Sequence, residues 1–121
     1  MHELSVCLSL LDQVRAIAHE HGAAKVTRIE LKVGPLSGVE VDLLRHAYPL
    51  AVAGTLAESA ELVIEPAEIV VRCERCGIES DATPNRLLCG QCGDYRTSVV
   101  SGDELILQRV ELDERPPSAD A

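Results

Sequence analysis

Apolar residues recur along the first twenty positions at three- and four-residue steps: Leu4, Cys7, Leu8, Leu11, Val14 and Ala18. That spacing predicts an amphipathic helix from Leu4 to about His21, stopped at Gly22. Val26–Val33 alternates instead. Thr27, Ile29, Leu31 and Val33 share one side and Arg28, Glu30 and Lys32 the other, which predicts a half-buried strand. Gly34-Pro35-Leu36-Ser37-Gly38 reads as a turn. Helical spacing returns over Glu40–Ala53 through Leu43, Leu44, Ala47, Leu50 and Ala51, with Pro49 expected to kink or shorten that helix and Gly54 to close it. Glu61–Glu65 and Ile69–Arg72 read as strand, broken or bent at Pro66. Cysteine-rich sequence follows from Cys73 to about Tyr95. Glu104–Leu112 then alternates again, with Ile106, Val110 and Leu112 on one side.

The order helix, strand, helix, strand, cysteine module, strand predicts an α+β fold. We expect a small mixed three-stranded sheet with two helices on one face, plus an inserted zinc-ribbon module. Residues 1–70 and 100–112 form the α+β domain in this reading, residues 71–99 the ribbon, and residues 113–121, with two prolines, a frayed tail.

The chain has 121 residues, no Phe or Trp, and two tyrosines, Tyr48 and Tyr95. A core of small aliphatics lacks the burial that aromatics supply, so a bound metal would matter to its stability. The formal charge of −9 without a basic cluster argues against nucleic-acid binding. No apolar run reaches the roughly 20 residues that span a bilayer, and the N-terminus lacks the pattern of an export signal. Both features predict a cytoplasmic protein, in which paired thiols read as metal ligands before disulfides.

Cys73-Glu74-Arg75-Cys76-Gly77 and Cys89-Gly90-Gln91-Cys92-Gly93 are two near-copies of one device. Each offers two thiols to one ion, with a glycine behind the second that lets the backbone turn tightly. Four thiolates make the usual closed site of structural zinc. Disulfides and an iron–sulfur cluster also use such cysteines; the missing export signal disfavours the first, and the glycine-backed pairing the second. A zinc hydrolase needs an open metal position that four cysteines do not leave, so no enzyme activity is expected. Cys7, on the apolar helix stripe, reads as a buried structural thiol, and His19 and His21 as a polar last helical turn.

Met1-His2-Glu3 carries a second candidate site. A bulky second residue preserves Met1, so its α-amine, the next backbone amide and the His2 imidazole can chelate one ion, with Glu3 adding an amide or carboxylate. Nitrogen-rich, square-planar donors suit Ni(II) or Cu(II). Protons compete for those nitrogens, so uptake is expected to weaken steeply on acidification.

In combination, these segments resemble the HypA/HybF family of [NiFe]-hydrogenase maturation. The resemblance rests on Met1-His2-Glu3-Leu4-Ser5-Val6, Val33-Gly34-Pro35-Leu36-Ser37-Gly38-Val39, Gly54-Thr55-Leu56-Ala57-Glu58, Ala60-Glu61-Leu62, the cysteine pairs, and Gly102-Asp103-Glu104-Leu105. It extends from Met1 to about Leu112. It implies a nickel metallochaperone binding Ni(II) through Met1, His2 and Glu3, with structural Zn(II) on Cys73, Cys76, Cys89 and Cys92. It also implies work with the nickel-handling GTPase HypB and the hydrogenase large subunit, and, as in some relatives, with urease maturation proteins. The chain departs from the family at His46-Ala47-Tyr48-Pro49, where aromatics are usual, and lacks histidines near the zinc cysteines. Glu40 and Asp42 could lend nickel an outer carboxylate, against the plainer reading as solvated charge. The rival function is a zinc-ribbon adaptor that binds only protein.

Overall fold

The computed structural model describes residues 2–113. Its elements run α1 (His2–Glu20), β1 (Lys25–Val33), α2 (Val41–Val52), β2 (Glu61–Pro66), β3 (Val70–Cys73), β4 (Glu79–Asp81), β5 (Thr97–Ser101) and β6 (Leu105–Asp113). Two three-stranded sheets result, ordered β2-β1-β6 and β4-β3-β5. The chain divides into two compact units. One holds residues 2–31, Glu40–Ile64 and residues 107–113; the other holds Lys32–Val39 and Glu65–Ile106.

In the first unit, α1 buries Cys7, Leu11, Val14 and Ala18, the expected stripe, while Leu8 is exposed. The helix closes as a Schellman motif: Ala23 N–H donates to Ala18 O at 2.9 Å and Gly22 N–H to His19 O at 3.1 Å. Leu11, Leu44, Val52, Ile29, Leu31 and Leu62 line one small cavity. Because Ile29 and Leu31 of β1 meet both helices there, α1 and α2 cover the same face of the mixed sheet.

Several local expectations are corrected. α2 runs through Pro49 to Val52 instead of ending early; burial of Ala51 and Val52 holds its last turn to the core. In β1 the buried residues are Val26, Ile29, Leu31 and Val33, with Thr27 exposed. The strand's entry is fixed by Val26, whose N–H donates to Leu56 O at 3.0 Å, and the Thr27 hydroxyl donates to Glu111 O at 3.1 Å. In β6 Ile106 is exposed while Leu105 and Leu107 are half-buried, the three adjacent apolar residues having left the facing ambiguous. Asp113, expected in the tail, closes β6; the rest of that tail, residues 114–121, lies outside the described residues, as does Met1.

The second unit is built on antiparallel pairing of β3 with β4 and β5, Val71 facing Ser80 on one side and Val99 on the other. At its base two glycine backbones cross. Gly34 N–H donates to Glu104 O at 2.8 Å, Leu36 N–H to Gly102 O at 2.7 Å, and Ala67 N–H to Val33 O at 3.0 Å. A Cβ on Gly34 would overlap the Gly102 carbonyl and lie 2.9 Å from Asp103 N. Gly34→Ala is therefore expected to cost about 3 kcal/mol or more, because rigid backbone must shift to admit one methyl. Urea denaturation checks this; a midpoint within error of the parent's contradicts it.

Candidate metal centre

Each cysteine pair folds as the same tight turn. Cys76 N–H donates to Cys73 Sγ at 3.4 Å and Gly77 N–H to Cys73 O at 2.9 Å. Likewise Cys92 N–H donates to Cys89 Sγ at 3.4 Å and Gly93 N–H to Cys89 O at 2.9 Å, joined by Gln91 N–H to the same sulfur at 3.4 Å. Gly77 and Gly93 both sit at φ 75°, the left-handed region where a side chain would be strained. The sequence repeat is thus a structural repeat.

The turns face each other. Cys73 and Cys92 sulfurs are 3.6 Å apart, as are those of Cys76 and Cys89, and all four lie within 4.8 Å of one another. A tetrahedral ion with metal–sulfur bonds of ~2.3 Å needs sulfur–sulfur edges of about 3.8 Å, so the cage fits a single ion. Disulfide sulfurs would stand at ~2.05 Å, and these cysteines are free. Cys73 and Cys89 are buried, Cys76 and Cys92 exposed.

The N–H donors and the crowding of sulfurs divide the thiols by acidity. Cys89 is lowered to about 6 by the backbone N–H groups of Cys92 and Gln91, and Cys73 is lowered first by that of Cys76. Cys76 rises to about 11, and Cys92 also rises: burial and adjacent sulfurs outweigh the N–H of Ile78 and of Asp94 respectively. Each turn therefore carries one thiol made more acidic, Cys89 the one lowered to about 6, and the cage releases protons as an ion enters.

Sequence reasoning missed the charges around the cage. Asp94, two residues beyond Cys92, has a side chain only 6% exposed. Its carboxylate accepts from Arg96 N–H at 2.8 Å, Arg96 Nε at 3.1 Å and Arg96 Nη2 at 2.9 Å, and faces Arg75 Nη1 at 3.7 Å. The Arg96 guanidinium holds that carboxyl well below the usual range. An acid flanked by glycine and tyrosine gave no periodic signal; an arginine inside each neighbouring segment was the one available hint.

The N-terminal candidates belong to the first unit. His2 and Glu3 form the first turn of α1, His2 Nδ1 lying 3.5 Å from Glu3 Oε2, with the His2 side chain 61% exposed. Glu40 N–H donates to Glu3 Oε2 at 3.3 Å and is the chief reason the Glu3 carboxyl is lowered. Among the described residues the side chains of Glu40 and Asp42 form no hydrogen bond or ion pair with Glu3; Asp42 offers its backbone oxygen to His46 Nδ1 at 2.6 Å. Glu3 and His46 line one groove with Leu4, Leu43, Ala47 and Leu50. Cys7 is buried, its Sγ 3.8 Å from Leu44 O, and burial raises its pKa. His19 and His21 are exposed.

A closed four-thiolate cage in one unit and a two-helix α+β arrangement in the other define a small metal-binding protein. The chain belongs to the HypA family: the model described as hydrogenase/urease nickel incorporation, metallochaperone, hypA matches residues 1–112. This is a family of metallochaperones, not of enzymes. The hydrogenase maturation factor HypA of Nitrosospira multiformis is 54% identical over 112 residues, covering 93% of this chain and 97% of its own. That of Chlorobium limicola is 42% identical over 114 residues, covering 94% and 98%. The solution structure of the Ni metallochaperone HypA from Helicobacter pylori shares the fold at TM-score 0.68 and 22% identity, covering 91% of this chain and 96% of that one.

With Zn(II) as probe, the logarithm of the binding constant is expected to fall one unit per pH unit more steeply below about pH 6 than just above it. Below that point Cys89 must also surrender a proton. Chelator-competition titrations across the range check the break; an unbroken slope contradicts it.

Proposed function

We propose that this chain carries Ni(II) at its amino terminus for insertion during [NiFe]-hydrogenase maturation, while Zn(II) on Cys73, Cys76, Cys89 and Cys92 keeps the ribbon folded. The nickel donors in this reading are the Met1 amine, the His2 imidazole, the intervening amide, and Glu3. The observation that carries it is the state of His2: an exposed imidazole in the first helical turn, 3.5 Å from a carboxylate, in a member of a nickel-incorporation family. The first N–H groups of a helix have no acceptor within it, so the His2 amide can be lost to a metal without breaking the helical ladder. Glu3, lowered by the Glu40 N–H, adds negative charge that offsets the helix dipole's repulsion of a cation.

Nickel here is cargo, held and then given up. A terminal chelate open to solvent allows a partner's donors to replace its own one at a time, which a closed thiolate cage does not. Residues 1–70 and 100–112 form the nickel-binding domain in this reading and residues 71–99 the zinc-ribbon domain. The partners in this reading are the nickel-handling GTPase HypB and the hydrogenase large subunit, with urease maturation proteins as further recipients. The work takes place in the cytoplasm, where the cage thiols stay reduced. Among the described residues no helix is long and apolar enough to cross a membrane.

Equilibrium dialysis against nickel, with zinc quantified on the same samples, tests the reading. The parent chain is expected to bind about one nickel beyond its zinc, and His2→Ala to lose at least about 100-fold in nickel affinity with zinc and fold intact. Extending the amino terminus by one residue is expected to do the same. A parent that retains zinc alone supports the protein-binding adaptor and ends the carrier reading.

A further inference from the structure

The two cysteine turns are separated in sequence, and a metal ion is not all that joins them. Arg75 lies inside the first turn, between Cys73 and Cys76; Asp94 and Arg96 follow the second. The Asp94 carboxylate reaches both sides. Its Oδ2 receives Arg96 Nη2 at 2.9 Å and faces Arg75 Nη1 at 3.7 Å, while Oδ1 takes the Arg96 backbone and Nε. A backbone bond reinforces the same crossing, Glu74 N–H donating to Arg96 O at 2.8 Å, while Cys89 N–H donates to Asp94 O at 3.0 Å and ties Asp94 to the second turn. The burial is asymmetric. Asp94 is 6% exposed, whereas Arg75 and Arg96 are 68% and 56% exposed, so two surface cations close over one buried anion.

We propose that Asp94 is a positioning residue for the sulfur cage, which fixes both cysteine turns through Arg75 and Arg96 and so sets how slowly the cage releases its ion. This rests on the zinc reading above. Four thiolates around a divalent cation carry a net charge of −2, and Asp94 with its two arginines contributes +1 beside it. Release requires one turn to swing away so that a thiolate leaves the ion and takes a proton from water. Swinging the first turn separates Arg75 from Asp94; swinging the second drags Asp94 from its partners. Arg96 also lies 5.9 Å from the centroid of the Tyr95 ring, which leaves its guanidinium held on two sides. Partners that orient metal ligands from outside their first contact are worth roughly 10–100-fold in metal affinity.

The experiment measures transfer of zinc from the zinc-loaded full chain to a chromophoric chelator, at low and high salt, for the parent, Asp94→Asn, Arg75→Gln and the remote control Asp12→Asn. Co(II)-loaded samples give the ligand-field spectrum. Asp94→Asn is expected to release zinc about tenfold faster or more, Arg75→Gln about two- to fivefold faster, and Asp12→Asn at the parent rate. Salt should accelerate the parent more than Asp94→Asn, because only the parent has the Asp94 ion pairs that salt screens. The Co(II) bands should keep four-thiolate intensity in Asp94→Asn but shift in position. Equal release from parent, Asp94→Asn and Arg75→Gln overturns the proposal. So does faster release by Asp94→Asn with the parent's salt response and Co(II) spectrum, which would mark a packing role alone. Where Asp94→Asn fails to fold, Arg75→Gln decides, since its exposed side chain leaves the core untouched. A parent chain that binds no zinc overturns the metal reading and this proposal with it, whereas zinc-loaded chains with equal rates overturn this proposal only.

Discussion

The crossing of Gly34 with Gly102 is the constraint on which the second unit's arrangement rests. Two backbones meet with no room for a Cβ between them, and hydrogen bonds from Gly34 and Leu36 lock them at 2.7–2.8 Å. The segment after β1 is thereby fixed against the segment that leads into β6. Val33 adds a third tie through its carbonyl to Ala67, just after β2. Three stretches far apart in sequence are thus joined at one place, and the cysteine-bearing strands begin and end there. Two separate segments of the family resemblance, Val33–Val39 and Gly102–Leu105, turn out to be the halves of this one contact. Glu104 completes it by accepting the Gly102 N–H at 2.6 Å, which holds its carboxyl below the ordinary range.

What could be read from sequence follows from which forces leave a periodic trace. The helix α1 was legible because burial of Cys7, Leu11, Val14 and Ala18 imposes helical spacing. The first sheet was legible in outline, yet Thr27, which the alternation groups with Ile29, Leu31 and Val33, is exposed, its hydroxyl bonded to the Glu111 carbonyl. β4 and β5 left no trace: their burial follows pairing with β3 and not an apolar face, and their residues Glu79–Asp81 and Thr97–Ser101 are mostly polar or exposed. The cage was the most legible feature of all, since ligand chemistry fixes residue type and spacing together. Asp94 was illegible for the opposite reason. A carboxylate that serves arginines on two segments looks, one residue at a time, like solvated charge.

The two ends of the proposed metal chemistry make opposite demands on the chain. The cage is made of soft thiolates, two of them buried, set in turns whose N–H groups already favour the anionic form. Such donors hold an ion in place and define a shape. At the amino terminus His2 is exposed and sits at the end of a helix, where the backbone is least committed. In the proposed reading the two donor sets divide the work, so that neither has to compromise between retention and release.

The composition explains why a cage is needed at all. The buried side chains of the second unit are Val33, Val39, Ala67, Ile69, Val71 and two of the cysteines, Cys73 and Cys89. At about 25 cal/mol per Å² of apolar surface, that handful is a slender core for a segment of this length. Two of its members are themselves metal donors, so core and binding site are one object. A structural zinc contributes on the order of 10–16 kcal/mol at such a site, as much as a whole small domain's stability. Loss of the ion removes the centre of the hydrophobic contacts together with the ligand bonds. The first unit is under no such obligation, because α1, α2 and the sheet enclose Leu11, Val14, Leu31 and Leu44 without help from any ion. Damage to the cage should therefore stay local, and an unfolded ribbon need not silence the helix that bears His2.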